Sequence, residues 1–191
     1  MPVPKANLPA LLRPVVLVGM MGAGKTAVGT QIARLLGVPF LDSDEEIERA
    51  ANRSIAEIFA RDGEPFFRAR ESEVLARLLS GTPAILSTGG GAFMSEHNRA
   101  LIAQRGVSVW LKADIDLLWH RVRAKATRPL LHTADPLGTL STLLAAREPV
   151  YGRAQVVVQA ETQLSVEQMA QKVIAVLRDT PGVFADGGEG A

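Results

Sequence analysis

The stretch Gly19-Met20-Met21-Gly22-Ala23-Gly24-Lys25-Thr26 satisfies the pattern G-x-x-x-x-G-K-[ST]. An apolar run at 15–18 leads into it and an amphipathic helical pattern at 25–36 follows, which is the context a phosphate-binding loop requires. Glycines let backbone N–H groups turn inward around phosphate oxygens with no Cβ in the way. The helix N-terminus adds unpaired amides and the positive end of its dipole. In this arrangement Gly22, Ala23, Gly24, Lys25, Thr26 and Ala27 surround the phosphates. Lys25 reaches the β- and γ-phosphates, and the Thr26 hydroxyl is a ligand for Mg²⁺. The expectation is a nucleoside triphosphate site.

Three further groups of residues could do chemistry beside it. Asp42 and Asp44 flank Ser43 after a second apolar run. In an extended segment, residues two apart point the same way, so both carboxylates would face the nucleotide. One placed near Mg²⁺, directly or through water, and one near an acceptor hydroxyl would suit phosphoryl transfer. The alternative for Asp44 is a cap on the helix that follows, with Glu45 and Glu46 in its first turn. Gly89-Gly90-Gly91 follows a third run, and three glycines in a row are expected where backbone must approach something closely or take a positive φ. Arginines form the last group. Arg68 has Glu71 three residues on, a spacing that lets the acid orient the guanidinium. Arg121 and Arg123 end a helical pattern, the segment 123–140 has the prolines and glycine of a lid, and Arg147 precedes Pro149-Val150-Tyr151. Guanidiniums bind carboxylate and phosphate through two parallel hydrogen bonds, which lysine cannot imitate.

The elements that must position these groups are read from periodicity. Strand-length apolar runs lie at 15–18, 39–41, 84–86, 107–111 and 155–158. Between and after them, helical patterns cover 25–36, 44–51, 54–60, 64–79, 96–104, 115–126, 141–146 and 166–178. Ser54 with Glu57 and Ser165 with Gln168 have capping-box spacing. Alternating runs of this kind predict an α/β fold, a doubly wound five-stranded parallel sheet with helices on both faces. In such sheets ligands sit beyond the carboxyl ends of the strands, where Gly19–Thr26, Asp42-Ser43-Asp44, Ser87–Gly91 and Ala113-Asp114 follow the apolar runs.

With 191 residues, 47% of them hydrophobic and 21% charged, the chain is long enough for one well-cored domain and too short for two of ordinary size. A formal net charge of +1 argues against a nucleic-acid partner held by bulk charge. The absence of cysteine excludes disulfides and thiolate metal sites and fits a reducing cytoplasm. Pro9, Arg13 and Pro14 interrupt the apolar start, so it reads as neither signal peptide nor membrane span, and no membrane partner is expected. The folded body is expected over 13–179, with 1–12 and 180–191 as flexible tails. His97, His120 and His132 lack metal-ligand spacing, Trp110 and Trp119 read as core, and Ser87 and Thr88 have no partner for nucleophilic catalysis.

Taken in order, GMMGAGKT, FLDSDEEIE, SIAEIFARDGEPFFRARE, STGGGA, ATRPLL and REPVY resemble the shikimate kinases of aromatic amino-acid synthesis over nearly all of the body. The resemblance implies a nucleoside-monophosphate-kinase-like P-loop fold with a mobile lid, and transfer of the ATP γ-phosphoryl group to the 3-hydroxyl of shikimate. It implies Lys25 and the loop amides on the phosphates, and Thr26 on Mg²⁺ with Asp42 nearby. Asp44 would meet the reacting hydroxyls as base or orienting group. Arg68 and Arg147 would clamp the shikimate carboxylate, with a backbone contact from Gly90. Arg128 would reach the transferring phosphate from the lid, and Arg121 would lie beside adenine. ATP and shikimate are the implied partners of a cytoplasmic monomer. One departure is Gln159-Ala160-Glu161-Thr162-Gln163, which lacks the Asn or Arg with Pro often found in the adenine loop, so no adenine contact is carried over from it. The rival readings are a gluconate kinase-like sugar-acid kinase, which would share the loop but not the Asp-Ser-Asp and triple-glycine arrangement, and a catalytically silent ATP-binding regulator.

Overall fold

The computed structural model describes residues 9–123 and 131–185. Five parallel strands, β1 (Val15–Val18), β2 (Phe40–Asp42), β3 (Ile85–Ser87), β4 (Val107–Lys112) and β5 (Val156–Gln159), stand in the order β2-β3-β1-β4-β5. Val15–Val18 are wholly buried, as expected of a central strand covered on both faces. The register sets Leu17 beside Ser87, and Ser87 beside Asp42. Three strands therefore end at one level, and the loops after them open onto one rim.

From β1 the chain moves to one side of the sheet through α1 (Lys25–Leu36) to β2, and returns through α2 (Ser43–Ala51) and α3 (Ile55–Leu79) to β3. It then crosses to the other side through α4 (Glu96–Arg105), β4, α5 (Ile115–Val122), α6 (Pro136–Tyr151), β5 and α7 (Val166–Arg178). Because the chain turns opposite ways after the neighbouring strands β1 and β3, their loops part and leave a crevice between them.

Several boundaries differ from the sequence expectation for physical reasons. The two helices expected at 54–60 and 64–79 are one element broken at Gly63 (φ 80°, ψ 174°), with Pro65 in the first turn after the break. Ser54 closes the capping box with Glu57. Helix α6 is far longer than the expected 141–146, because Asp135 caps it through the Gly138 amide and Pro136 opens it. The second half of the expected lid is thus the start of α6, where Leu140 is fully buried.

The expected flexible tails also need correction within the described residues. Leu11 pairs with Phe184, the Leu12 amide donates to the Val183 carbonyl at 2.9 Å, and the Ala185 amide to Ala10 at 2.9 Å. Leu11 and Val183 are buried in the main core. Composition averaged over a glycine-rich stretch conceals single apolar residues that find a place against the sheet.

Candidate active site

The phosphate loop joins β1 to α1. Gly22 (φ 84°) and Gly24 (φ 95°) hold backbone that a side chain would strain. A Cβ on Gly22 would stand 2.7 Å from Val122 Cγ1. Gly24 is the N-cap of α1 and supplies no side-chain cap, so the first amides of the helix face the crevice without an internal side-chain acceptor. Lys25 arches over its own loop and donates to the Gly19 and Met20 carbonyls at 2.8 and 3.0 Å. Arg121 Nη1 donates to the Gly22 and Ala23 carbonyls, both at 3.1 Å. It therefore braces the loop from α5, a role the sequence reading did not anticipate.

Asp42 and Asp44 both face this crevice, though not by alternation in an extended strand. The helix begins at Ser43, and Asp42 is its cap: Asp42 Oδ1 accepts the Asp44 amide at 2.9 Å and the Glu45 amide at 3.4 Å. The capping alternative thus falls on Asp42, and the Asp44 carboxylate is left to the site. Burial is the main reason that its pKa rises to about 6, with Asp42 and Glu71 adding repulsion against the opposing pull of Lys25. A carboxyl poised near neutral pH can exchange a proton with a hydroxyl.

The three glycines after β3 each make room for one polar side chain. A Cβ on Gly89 would lie 2.9 Å from Asp44 Oδ1, one on Gly90 2.8 Å from Arg147 Nη1, and one on Gly91 2.6 Å from Arg68 Nη2. None of the three has a positive φ, so close approach rather than unusual backbone is what excludes a side chain here. Arg68 Nη1 donates to both Glu71 oxygens at 3.1 and 2.9 Å, and Glu71 is only 2% exposed. Burial pushes the Glu71 carboxyl above its usual range, while Arg68 and Arg147 pull it back. Arg68 thus pairs with this buried carboxylate while Glu64 approaches its Nε at 3.4 Å, and Arg147 brings a second positive charge to the same wall.

A cleft of about 920 Å³ runs along the phosphate loop past Thr26, Asp42, Asp44 and Gly89-Gly90, and Arg121 lines it. A second hollow of about 400 Å³ lies against Gly91, with Arg68, Glu71 and Arg147 in its wall. The triple glycine is the partition between them. Of the residues expected from sequence, Gly22, Ala23, Gly24, Lys25, Thr26, Ala27, Asp42, Asp44, Gly90 and Arg121 line the first space, and Arg68 and Arg147 the second. Arg128 and residues 124–130 of the expected lid lie outside the described residues. His120 and a rim formed by Ala160, Glu161, Leu164, Ser165, Val166 and Met169 also line the cleft. In the sequence His120 has no metal-ligand spacing and no contact is carried over from 159–163, although the Ser165 capping box marks where that rim turns into α7. Lys172 holds the rim by pairing with Glu161 and donating to the Gln159 carbonyl at 3.0 Å.

The family model for shikimate kinase matches residues 21–178. The chain belongs to the shikimate kinase family. A shikimate kinase of Cereibacter sphaeroides is 67% identical over 174 residues, covering 91% of this chain and 87% of that one. Among solved structures, a shikimate kinase from Acinetobacter baumannii in complex with shikimate superposes with a TM-score of 0.83 at 40% identity, covering 89% of this chain and 95% of the other. A gluconokinase from Sinorhizobium meliloti aligns with a TM-score of 0.58 at 20% identity over 89% of this chain and 94% of its own, a likeness of fold alone. As a kinase of this family the protein is a transferase that uses ATP as co-substrate. Among the described residues no helix is long and apolar enough to cross a membrane.

Proposed function

We propose that the cleft transfers the γ-phosphoryl group of ATP to the 3-hydroxyl of shikimate, giving ADP and shikimate 3-phosphate. The observation that carries this reading is the partition at Gly89-Gly90-Gly91. Asp44 packs against Gly89, Arg147 against Gly90 and Arg68 against Gly91, so one carboxylate and two guanidiniums border a single turn of backbone beside the phosphate loop. Shikimate has one carboxylate and a set of ring hydroxyls, so Arg68 and Arg147 would hold the former while Asp44 meets the latter. Gly90 would add a backbone contact.

On the nucleotide side, the amides of Gly22–Thr26 and the Lys25 ammonium hold the phosphates, with Ala27 in the same turn of α1. Arg121 keeps the loop in shape and lies at the nucleotide end of the cleft. Thr26 and Asp42 are hard oxygen donors lining one space, and no group of three His, Cys, Asp or Glu side chains suited to a metal occurs among the described residues. That donor set fits Mg²⁺, which takes few protein ligands and completes its shell with water and phosphate oxygens. Thr26 and Asp42, directly or through water, would hold the ion, which supplies charge neutralisation to the phosphates when bound.

Positioning and charge do most of the work in phosphoryl transfer. Asp44 takes up or orients the proton of the attacking hydroxyl, and Lys25 shares the charge that develops on the transferred group. Arg128 is proposed to share the charge on the same group, as the family resemblance implies. The family resemblance suggests a protein active as a monomer, and ATP as co-substrate supports a cytoplasmic setting. ADP release that depends on shikimate tests the reading.

A further inference from the structure

The chain has a single tyrosine, Tyr151, at the end of α6, and it is fully buried. Its ring stacks on Trp110 of β4, with centroids 5.9 Å apart and planes inclined by 29°. Phenylalanine would serve that packing equally well. The hydroxyl is what needs explaining, because a buried O–H is costly unless it finds a partner. It donates to the Gly90 carbonyl at 2.6 Å and lies 4.0 Å from Met20 Sδ in the phosphate loop. The Arg147 guanidinium, one helical turn earlier, flanks the same hydroxyl. A Cβ on Gly90 would meet Arg147 Nη1 at 2.8 Å and the Tyr151 hydroxyl at 3.6 Å, so all three groups crowd one point.

This placement answers a problem the triple glycine creates. Three glycines admit the side chains of Asp44, Arg147 and Arg68, yet they are the least restrained backbone a chain can offer. In a planar trans peptide the Gly90 carbonyl and the Gly91 N–H point opposite ways, so anchoring the carbonyl also fixes the direction of that N–H. Burial holds the phenol above its usual pKa, which keeps the hydroxyl a donor. We infer that Tyr151 is a positioning residue, whose hydroxyl locks the Gly90 peptide and the Arg147 guanidinium in the geometry that receives the acceptor carboxylate. The inference rests on the acceptor-site reading above. It assigns Tyr151 to acceptor binding and not to the phosphoryl-transfer step.

Steady-state kinetics of Tyr151→Phe, Arg147→Lys and the double variant test it. Tyr151→Phe is expected to raise the KM for shikimate about five- to twentyfold, leaving kcat and the KM for ATP within about twofold. Combined with Arg147→Lys, its loss in kcat/KM should be smaller than in the native background, because both changes act on one contact. An unchanged KM for shikimate, an equal rise in the KM for ATP, or fully multiplicative losses would overturn the inference. If Arg147→Lys alone leaves the shikimate KM unchanged, the acceptor-site reading fails instead. Should Tyr151→Phe not fold, the lone tyrosine can be replaced throughout by 3,5-difluorotyrosine, which keeps ring and hydroxyl but makes the phenol more acidic. The KM for shikimate should then climb with pH beyond any change in the native enzyme, and a matching pH profile would overturn the inference.

Discussion

The Asp42 carboxylate caps α2 by accepting the Asp44 amide at 2.9 Å, and so places a negative charge beside the Asp44 side chain while relieving it of any capping duty. Asp44→Asn therefore keeps the helix start intact and removes only the charge proposed to meet the acceptor hydroxyl. General-base contributions are typically about 10²–10⁴-fold, and kcat should fall into that range with the fold retained. A kcat within a factor of a few of the native value would show that Asp44 is not the proton acceptor or orienting group.

The raised Asp44 pKa has a consequence for both activity and stability. In the folded protein the carboxyl titrates at about 6, above its unfolded value of 3.8. The folded state thus binds the proton more tightly, and the ionised group opposes folding at neutral pH. Between pH 8 and 4 the native protein should gain stability from this group as pH falls. The Asn variant should melt higher than the native protein at about pH 8, with the difference gone by about pH 4. In the native enzyme kcat/KM for the acceptor should decline as pH falls through about 6, because the base becomes protonated. Differential melting of the unliganded enzyme and a pH–rate profile of kcat/KM for the acceptor check the two halves separately. Equal melting curves across that range would place the Asp44 pKa near its ordinary value.

Arg68 and Glu71 test recognition by a planar fork against recognition by charge. Arg68→Lys retains the positive charge, and its ammonium can replace Nη1 on the two Glu71 oxygens, but it lacks the coplanar pair of further nitrogens that a guanidinium presents to a ligand. Loss of a charge-assisted hydrogen bond is worth roughly 1.5–3 kcal/mol, so the KM for shikimate should rise on the order of ten- to a hundredfold. The KM for ATP should barely move. Equal weakening of both substrates would remove Arg68 from the acceptor side.

How far the sequence revealed this site depended on whether a motif dictated the backbone. Val15–Val18 and Lys25–Leu36 agree residue for residue with expectation, because the glycine pattern leaves one way to join a strand to a helix around a phosphate. The spacing of Asp42 and Asp44 predicts an extended segment there, where the structure has the start of a helix. A three-residue strand carries too little periodicity to show that the helix already starts at Ser43. The start of α6 was hidden by its weak apolar periodicity and by Pro136 and Gly138, which composition assigns to a loop. Tyr151 could be seen only in three dimensions, since nothing in its neighbours reveals a contact with a carbonyl 61 residues earlier.

The triple glycine yields a test that removes no charged side chain. Gly91 has ordinary backbone (φ −93°), so alanine is tolerated locally, yet its Cβ would stand 2.6 and 2.8 Å from the Arg68 guanidinium nitrogens. Gly91→Ala should displace Arg68 from Glu71 and raise the KM for shikimate about tenfold, roughly 1.4 kcal/mol, with little change in melting temperature. An unaffected shikimate KM would mean that Arg68 tolerates displacement and does not set acceptor geometry.

Together the arginine pair and Asp44 are proposed to select one acceptor for the phosphoryl group. A coupled assay of ADP release from Mg-ATP, run with shikimate, quinate, gluconate and no acceptor, tests it most directly. Rapid ADP release with shikimate alone is the predicted result. Equal rates with gluconate, or release that is indifferent to any acceptor, would contradict it.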